Sequence, residues 1–416
     1  MVEDPRIMLA VAWRPPHAPD PFGALICSMF GLRLFYFLFF VALGIYSPSF
    51  PRWLAAQGIE GARLGVVAAM GPVMGLVSPT LFGWVADRTG LRRGVVATVT
   101  WLAAAMMALL AHLASKGSST FLITLACVAA YAFFLAPMGA LADTIALESG
   151  VPYGPVRLWG SVGFLVAAIA SSRFVDPTSA RLPLTVAVAL ASAGMACAWL
   201  PSDGGTQVAT EEPVPSEAPR SMLGGRLRAL LACTLLLEAS HSAYNLCFSL
   251  HLFDHGVAMA TVGALWALGV LAEIGFFVAG ERLLSRFGAG LLLTFGSATL
   301  VVRMVVLGAI HDVPAFAASQ LLHACTFGAT WTAIMRIVRE AAVPSTLGRL
   351  RGLVSASAAV GGAFGMVAWG ASYRAIGGAT TFRLAGAVAV LATLLALRFV
   401  GEPSRAAPVD EPRSLG

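Results

Sequence analysis

The sequence predicts an all-α membrane protein with twelve transmembrane helices arranged as two bundles of six. Three observations lead to this prediction. Of the 416 residues, 58% are hydrophobic and only 12% are charged, whereas soluble chains carry about 25% charged residues. Apolar stretches long enough to cross a bilayer, which takes about 20 residues, recur along the chain. One long polar connection divides these stretches into two equal groups.

The predicted spans follow from hydropathy and length alone. They are 23–47, 62–84, 93–114, 119–146, 156–175, 182–200, 228–252, 258–280, 288–309, 313–338, 350–373 and 380–400. The polar connection, 201–227, is predicted to be a cytoplasmic linker between the bundles 23–200 and 228–400. A disordered tail, 1–22, and a second tail, 401–416, are expected at the ends. The similar size of the two halves favours an internal duplication, as in many transporters.

The placement of arginine indicates the orientation. If the N-terminus is cytoplasmic, most basic loop residues, such as Arg226 and Arg349, lie on the cytoplasmic side, where an excess of Lys and Arg is usual. We therefore expect both termini inside the cell and a multi-pass protein of the cell inner membrane. The first twenty residues, with four prolines and both charge signs, do not resemble a cleavable signal peptide, so the first span should be an uncleaved anchor.

Composition and motifs argue against several other classes of protein. The net charge of +6 comes from scattered single residues, so no nucleic-acid partner is expected. The six cysteines form no CxxC pair or Cys/His ligand spacing, so neither a disulfide framework nor a metal site is predicted. The chain contains no HExxH or GxSxG motif, so we do not expect an enzyme. No cofactor is predicted.

Three predicted spans of the second half carry ionisable residues: Glu273, Arg303 and His323. A charged side chain at the bilayer centre costs roughly 2.5–3.5 kcal/mol on insertion scales, and such residues usually have a function. A carboxylate or imidazole removed from water favours its neutral form, so Glu273 and His323 are candidates for proton handling. The segment ends place Arg303 nearer the outer face, so mutual contact of all three is not predicted. A packed core histidine with hydrogen-bonded neighbours is the alternative.

The loop between the second and third spans contains glycines that permit a tight turn and an aspartate that can accept hydrogen bonds from an arginine. It resembles the signature loop of the major facilitator superfamily, although an ordinary basic cytoplasmic loop is the alternative. A degraded copy, Leu284 to Gly288, follows the eighth span. The positions that match the signature loop are Gly83, Asp87, Arg88, Gly90, Arg92 and Arg93.

Small residues also predict close helix packing at Gly71 and Gly75, and at Gly361 and Gly365.

Asp143 in the fourth span and Arg157 at the start of the fifth can pair across a shared cavity, and either can bind a substrate. A structural ion pair is the alternative. Arg157 lies in the stretch YGPVRLWGSVG, which resembles the phenylpropionate-permease group of the superfamily, a relative of the lactose permease family. The stretches around His241, Glu273 and His323 strengthen this resemblance, which covers nearly the whole chain apart from the tails and the linker.

The resemblance implies two six-helix bundles with an alternating-access cavity lined by spans 1, 4, 7 and 10. It also implies roles for individual residues. The sugar-permease relatives carry a carboxylate three residues after the histidine, where this chain has Thr326, so their usual proton carrier is absent. The implied substrate-binding residues are Tyr36, Asp143, Arg157, His241, Tyr244 and Asn245. The implied proton-coupling residues are Glu273, Arg303 and His323, with His323 also facing the cavity.

From these residues we expect a secondary active transporter, a proton symporter that imports an aromatic carboxylic acid such as a phenylpropionate-like compound. The aromatic residues of the first span could form an apolar wall for a ring. Alternatives are a sugar- or nucleoside-type symporter, an exporter on the same fold, and a non-transporting membrane sensor. The expected partners are a small-molecule substrate, protons and the lipid bilayer, and the protein is expected to function as a monomer.

Overall fold

The computed structural model describes residues 21–202 and 224–400, and it is helical throughout these ranges apart from short connections. Every predicted span corresponds to one long helix. The predicted tails and most of the predicted linker 201–227 lie outside the described residues. The helices are α1 (Pro21–Ala56), α2 (Gly61–Thr89), α3 (Arg92–Ser115), α4 (Phe121–Glu148), α5 (Tyr153–Phe174), α6 (Arg181–Ala196), α7 (Gly225–Asp254), α8 (Met259–Phe287), α9 (Ala289–Ala309), α10 (Val313–Ala341), α11 (Pro344–Ile376) and α12 (Gly378–Ala396).

Eleven of these helices are long and apolar enough to cross a membrane on their own composition. The exception among the described helices is α7, which spans Gly225–Asp254. Glu238, His241 and Asn245 lower its hydropathy, and they occupy one face because their spacing of three, then four, residues follows the helical period. A polar face on a helix otherwise buried among its neighbours indicates a site inside the bundle.

The helices form two halves, α1–α6 and α7–α12. Within the first half α1 packs on α5 and α6, and within the second half α7 packs on α11 and α12. The halves meet mainly through two helix pairs, α2 with α11 and α5 with α8. Helices α5 and α8 therefore lie where the two halves face each other, and α1 contacts α7 and α8 at the same boundary.

Glycines bring the two halves together at the end of the bundle that carries the α1–α2 and α7–α8 connections, which we call the closed end. A Cβ atom on Gly370 of α11 would lie 2.6 Å from the carbonyl oxygen of Gly61 and 2.9 Å from the amide nitrogen of Gly65 on α2. Glu60 and Arg374 form an ion pair of 3.2 Å beside this contact. Only glycine permits backbones to approach so closely, so the closed end is sealed by main-chain contact.

At the opposite end the halves separate. Gly71, Gly75 and Gly83 lie successively farther along α2 from the closed end, and a Cβ atom on any of them would meet no atom within 4 Å. The packing expected for Gly71 and Gly75 is therefore absent in this conformation. Gly361 and Gly365 do pack closely, against Leu235 and Ala239 of α7. The open space beside the three glycines of α2 indicates a cleft between the halves that widens towards this end.

The α2–α3 connection lies at this open end. Gly90 ends α2 with φ of 69° and donates its N–H to the Ala86 carbonyl at 2.9 Å, a left-handed conformation that favours glycine. Gly288 ends α8 with φ of 75° and donates to the Leu284 carbonyl in the same way. The two glycines share a positive φ but differ in ψ, which is 4° at Gly90 and 162° at Gly288, so the degraded copy ends its helix with a glycine but makes a different turn.

The charged residues of this connection tie α3 to neighbouring helices. Arg92 donates to Asp87 at 2.8 Å and pairs with Glu148 at the end of α4 at 3.1 Å. Arg93 donates to the Ala198 carbonyl beyond α6 at 2.6 Å. Arg88 instead lies over the ring of Trp84. Asp87, Arg92 and Arg93 therefore brace the first half internally in this conformation.

Candidate functional site

Four polar side chains of the first half meet at the cleft. The Tyr36 hydroxyl of α1 is buried and donates to Asp143 Oδ1 of α4 at 2.5 Å. Tyr153, the first residue of α5, interacts with both Asp143 and Arg157, and the Arg157 guanidinium carbon lies 5.7 Å from the ring centroid of Tyr36. Tyr36, Asp143 and Arg157 therefore lie near one another, and their role in binding substrate stays a prediction.

The position of Arg157 follows from the glycines of its own stretch. Its guanidinium carbon lies 4.2 Å from the ring centroid of Phe40 on α1. A Cβ atom on Gly160 would lie 2.7 Å from Arg157 Nη1 and 2.8 Å from the Phe40 ring. One turn later, a Cβ atom on Gly163 would overlap the carbonyl of Phe37. The two glycines thus let α5 approach α1 closely, which stacks the cation on the aromatic ring.

In the second half Arg303 of α9 is fully buried and has no carboxylate within ion-pair distance among the described residues. Its donors are satisfied instead by neutral acceptors of α10. Nε donates to the Ser319 carbonyl at 2.8 Å and Nη2 to Gln320 Oε1 at 3.1 Å. The Tyr244 ring lies against the guanidinium, with its centroid 3.9 Å from the central carbon. A buried cation held this way is stabilised by dipoles and a π face.

The remaining donor of Arg303 determines the state of His323. Nη1 lies 3.1 Å from His323 Nδ1 and 3.3 Å from Thr326 Oγ1. Because a guanidinium can only donate, Nδ1 must supply its lone pair, so the ring proton resides on Nε2 and the ring is neutral in this conformation. A second proton on His323 would place two donors face to face, and would therefore displace Arg303.

The contact between Arg303 and His323 differs from the depths that the segment ends indicate, which put Arg303 nearer the outer face. Glu273 does not join them, because it forms no ion pair with Arg303 within 4.0 Å. The cation that acts on Glu273 is Arg157 of the opposite half. The predicted proton-coupling residues therefore fall into two groups, Arg303 with His323 inside the second half, and Glu273 facing the first half.

The two other predicted residues of α7 lie beside His323. The ring centroid of His241 is 5.4 Å from that of His323, and the centroid of Tyr244 is 5.3 Å from it. The Tyr244 hydroxyl donates to Gln320 Oε1 at 3.1 Å, so Gln320 accepts from both Tyr244 and Arg303. Asn245 shares the polar face of α7 with His241 and is exposed.

Sequence reasoning missed Glu238, which lies one turn before His241 on the same face. It is half-buried, and no hydrogen-bond or ion-pair partner is found for it among the described residues. The signal was available, since Glu238 follows a run of apolar residues in the interior of a predicted span, just as Glu273 does. It adds a second carboxylate to the second-half side of the cleft.

A further feature absent from the sequence prediction is a π-helical turn in α10, Ala324–Ala329, directly after His323. Thr326 lies inside it and accepts from Arg303, while its own hydroxyl donates to the His323 carbonyl at 3.2 Å. Single π turns inside α-helices occur frequently at functional sites. The wider turn shifts the register of α10 between His323 and the rest of the helix.

Twelve helices in two halves, a cleft open at one end and ionisable residues at its centre define a multi-pass membrane transporter. The comparisons with known proteins agree with this class. Residues 29–384 match the family model described as "MFS_1 like family". The chain therefore belongs to the MFS_1-like family of the major facilitator superfamily, whose members are transporters of small solutes.

Individual relatives and solved structures extend the match. The chain is 30% identical to the "Probable 3-phenylpropionic acid transporter" of Escherichia coli (strain K12) over 81% of its length and 88% of that protein. It is 28% identical to the "Maltose permease" of Geobacillus stearothermophilus over 74% of its length and 78% of that protein. The nucleoside transporter NupG has the same fold, with a TM-score of 0.77 at 17% identity, covering 90% of this chain and 99% of that one.

Proposed function

We propose that the protein is a proton symporter that imports an aromatic carboxylic acid of the phenylpropionate type. One observation carries the proposal: α8, which bears Glu273, packs on α5, which bears Arg157, and the Arg157 charge acts on Glu273 from the opposite half. A carboxylate on one half can bind a proton in place of the guanidinium on the other half. The guanidinium can then bind an anionic substrate in place of the carboxylate. The 30% identity to a probable 3-phenylpropionic acid transporter supports this substrate class.

The proposed mechanism depends on the electrostatic interaction between Glu273 and Arg157. In the absence of substrate, the negative charge of Glu273 acts on Arg157 in addition to that of Asp143. When Glu273 takes up a proton, this part of the negative charge is removed, which favours binding of the substrate carboxylate by Arg157. One proton and one anion then occupy the cleft together, so no net charge crosses with them. Release of either on the other side restores the pairing of Glu273 with Arg157.

The walls of the cleft support an aromatic substrate. Phe40 already lies flat against the Arg157 guanidinium, and Phe327 lies beside His323 and His241 on the opposite side. An arylpropionate held by its carboxylate at Arg157 would place its ring between these apolar surfaces. Tyr36 and Asp143 would hold Arg157 in position.

We further propose that the protein lies in the inner membrane with both termini in the cytoplasm. In that orientation the cleft opens to the cytoplasm in this conformation. We also propose that a single chain suffices for transport.

Uptake of radiolabelled 3-phenylpropionate into proteoliposomes tests the proposal. An inward proton gradient should drive accumulation above equilibrium, and a protonophore should abolish it. Equal uptake with and without the gradient would exclude proton coupling. The panel should include maltose and a nucleoside, because the maltose permease relative makes a sugar the second candidate substrate.

Two variants separate the proton step from the binding step. Glu273→Gln should retain exchange of internal for external substrate but lose gradient-driven accumulation, whereas Arg157→Gln should lose both. Asp176→Asn, which changes an exposed carboxylate in the α5–α6 connection, is the matched control and should behave as the unmodified protein. Undiminished accumulation by Glu273→Gln would remove Glu273 from the proton pathway.

A further inference from the structure

A cluster of three histidines lies at the closed end, away from the central cleft. His251 lies in the last turn of α7, His255 directly follows the last residue of this helix, and His311 lies in the connection between α9 and α10. The ring centroids of His255 and His311 are 4.3 Å apart and nearly parallel, and that of His251 lies 4.4 Å from His255. One ring nitrogen of each histidine lies within 4.8 Å of those of the other two.

Backbone carbonyls fix the proton on two of these rings. His251 Nε2 lies 3.0 Å from the Leu307 carbonyl, and His255 Nδ1 lies 2.7 Å from the His251 carbonyl. A carbonyl only accepts, so each of these nitrogens carries the hydrogen and the other nitrogen of each ring keeps a lone pair. Metal-binding histidines are oriented in this way, by a hydrogen bond from the nitrogen that does not bind the metal.

We propose that His251, His255 and His311 form a binding site for a divalent transition-metal ion, of which Zn²⁺ is the best fit. Three imidazoles and one water complete a tetrahedral zinc shell with Zn–N distances of about 2.0–2.1 Å. Such a shell needs nitrogens roughly 3.3 Å apart, closer than the upper limit of 4.8 Å found here. His255 and His311 are exposed, so rotation of their side chains can make up the difference without moving the buried His251.

The surroundings of the cluster leave the three imidazoles as the ligands. Asp254 accepts from the Tyr373 hydroxyl at 2.6 Å, and Asp312 accepts from the Ala315 amide at the start of α10. Arg383 of α12 acts electrostatically on His311, and its charge opposes a cation there. The sequence signal for the site is the four-residue spacing of His251 and His255, which places both on one helical face.

Because of its location, a metal ion bound at this site would connect separate segments of the second half. A metal would join the end of α7 to the α9–α10 connection, and a Cβ atom on Gly378 at the start of α12 would overlap His251 Nδ1. Three segments of the second half therefore meet at the cluster. The neighbouring Phe253 ring lies under Arg52 of α1, 5.3 Å from its guanidinium carbon, so the site borders the contact between the halves.

The test is metal binding by the full chain, purified with a tag free of histidine and treated with a chelator. Calorimetric titration with Zn²⁺ should show one ion per chain and raise the melting temperature. Co²⁺ should give the intense visible absorption of a tetrahedral complex. His255→Ala and His311→Ala should each weaken binding by at least about tenfold, and Arg383→Gln should strengthen it several-fold.

His112→Ala is the matched control, because His112 is an exposed histidine at the same end of the bundle on α3, and it should leave binding unchanged. Both cluster variants change exposed side chains, so their elution profile and helical content should match those of the unmodified chain. Absence of Zn²⁺ binding in the unmodified chain, or full affinity in the double variant His255→Ala/His311→Ala, would overturn the proposal. The experiment involves neither substrate nor transport and is therefore independent of the proposed function.

Discussion

A methyl group added at Gly370 should force the closed end apart. The Cβ atom of Gly370→Ala would lie 2.6 Å from the Gly61 carbonyl oxygen, against an ordinary contact of 3.4–4 Å. Helices α2 and α11 would have to separate by about 0.8 Å to accommodate it. Backbone atoms cannot rotate away as a side chain can, so the strain falls on the conformation in which this end is closed.

The magnitude follows from overpacking a tight contact, which typically costs 1–3 kcal/mol. A transporter that alternates between two conformations opens this end in the other one, where the strain is absent. A difference of 1–3 kcal/mol then shifts the equilibrium by a factor of about 5–150 towards the form open at this end. The fold itself should be retained, because the two halves keep their own cores.

The assay is a distance distribution across the closed end. Spin labels on Lys116 of the first half and Ile310 of the second, both exposed, report the separation of the halves in a cysteine-free background. Gly370→Ala should increase the population at long distance. Gly362→Ala is the matched control on the same helix, because its Cβ atom would meet Pro72 of α2 at an ordinary 3.8 Å.

A distribution for Gly370→Ala that is identical to that of Gly362→Ala, in protein of normal stability, would refute the argument that main-chain contact seals this end. A shift of equal size in both variants would refute it as well, since only one of them carries the steric conflict.

The other predictions concern the site and the open end. Arg303→Met should lower the free energy of unfolding by at least about 2 kcal/mol, because it leaves several buried acceptors without a donor; chemical denaturation measures this, and Arg286→Met on an exposed residue should have little effect. Tyr36→Phe should weaken substrate binding without unfolding the protein, because Asp143 loses its donor at 2.5 Å, and a binding titration would contradict this if affinity stayed constant. Gly90→Ala should cost about 1 kcal/mol, because alanine is strained at φ of 69°, and an unchanged melting temperature would count against it.

The number and order of the helices could be predicted because bilayer thickness imposes a length and a composition on every span. Even α7, with its polar face, was recognisable from the apolar residues around Glu238. The state of the cleft could not be predicted. Gly71 and Gly75 have the spacing of a packing face, yet they meet no neighbour here, because a small-residue pattern does not specify which conformation uses it.

The sequence also could not predict which residues of neighbouring helices are in contact. Depth along each helix can be estimated only to within several residues, which is enough to misplace Arg303 relative to His323. The π turn at Ala324–Ala329 adds to this error, since it changes the register of α10 next to the histidine. Residue types therefore identified the polar participants, whereas the contact of Arg303 with His323, and the action of the Arg157 charge on Glu273, required the structure.

These two pairings differ in what a proton would do to them. His323 accepts from Arg303, so a proton on His323 would break a contact buried within one half. No carboxylate in the described part of the chain lies within ion-pair distance of Arg303 to compensate. Glu273 and Arg157 stand on opposite halves, so a proton on Glu273 alters the attraction between the halves themselves. A coupling residue must change the balance between two conformations of the whole protein. In the proposed function Glu273 meets this requirement directly, so we expect it, rather than His323, to carry the proton where Thr326 replaces the carboxylate of the sugar permeases. The Arg303 cation and the neutral His323 ring would then stay hydrogen-bonded to each other.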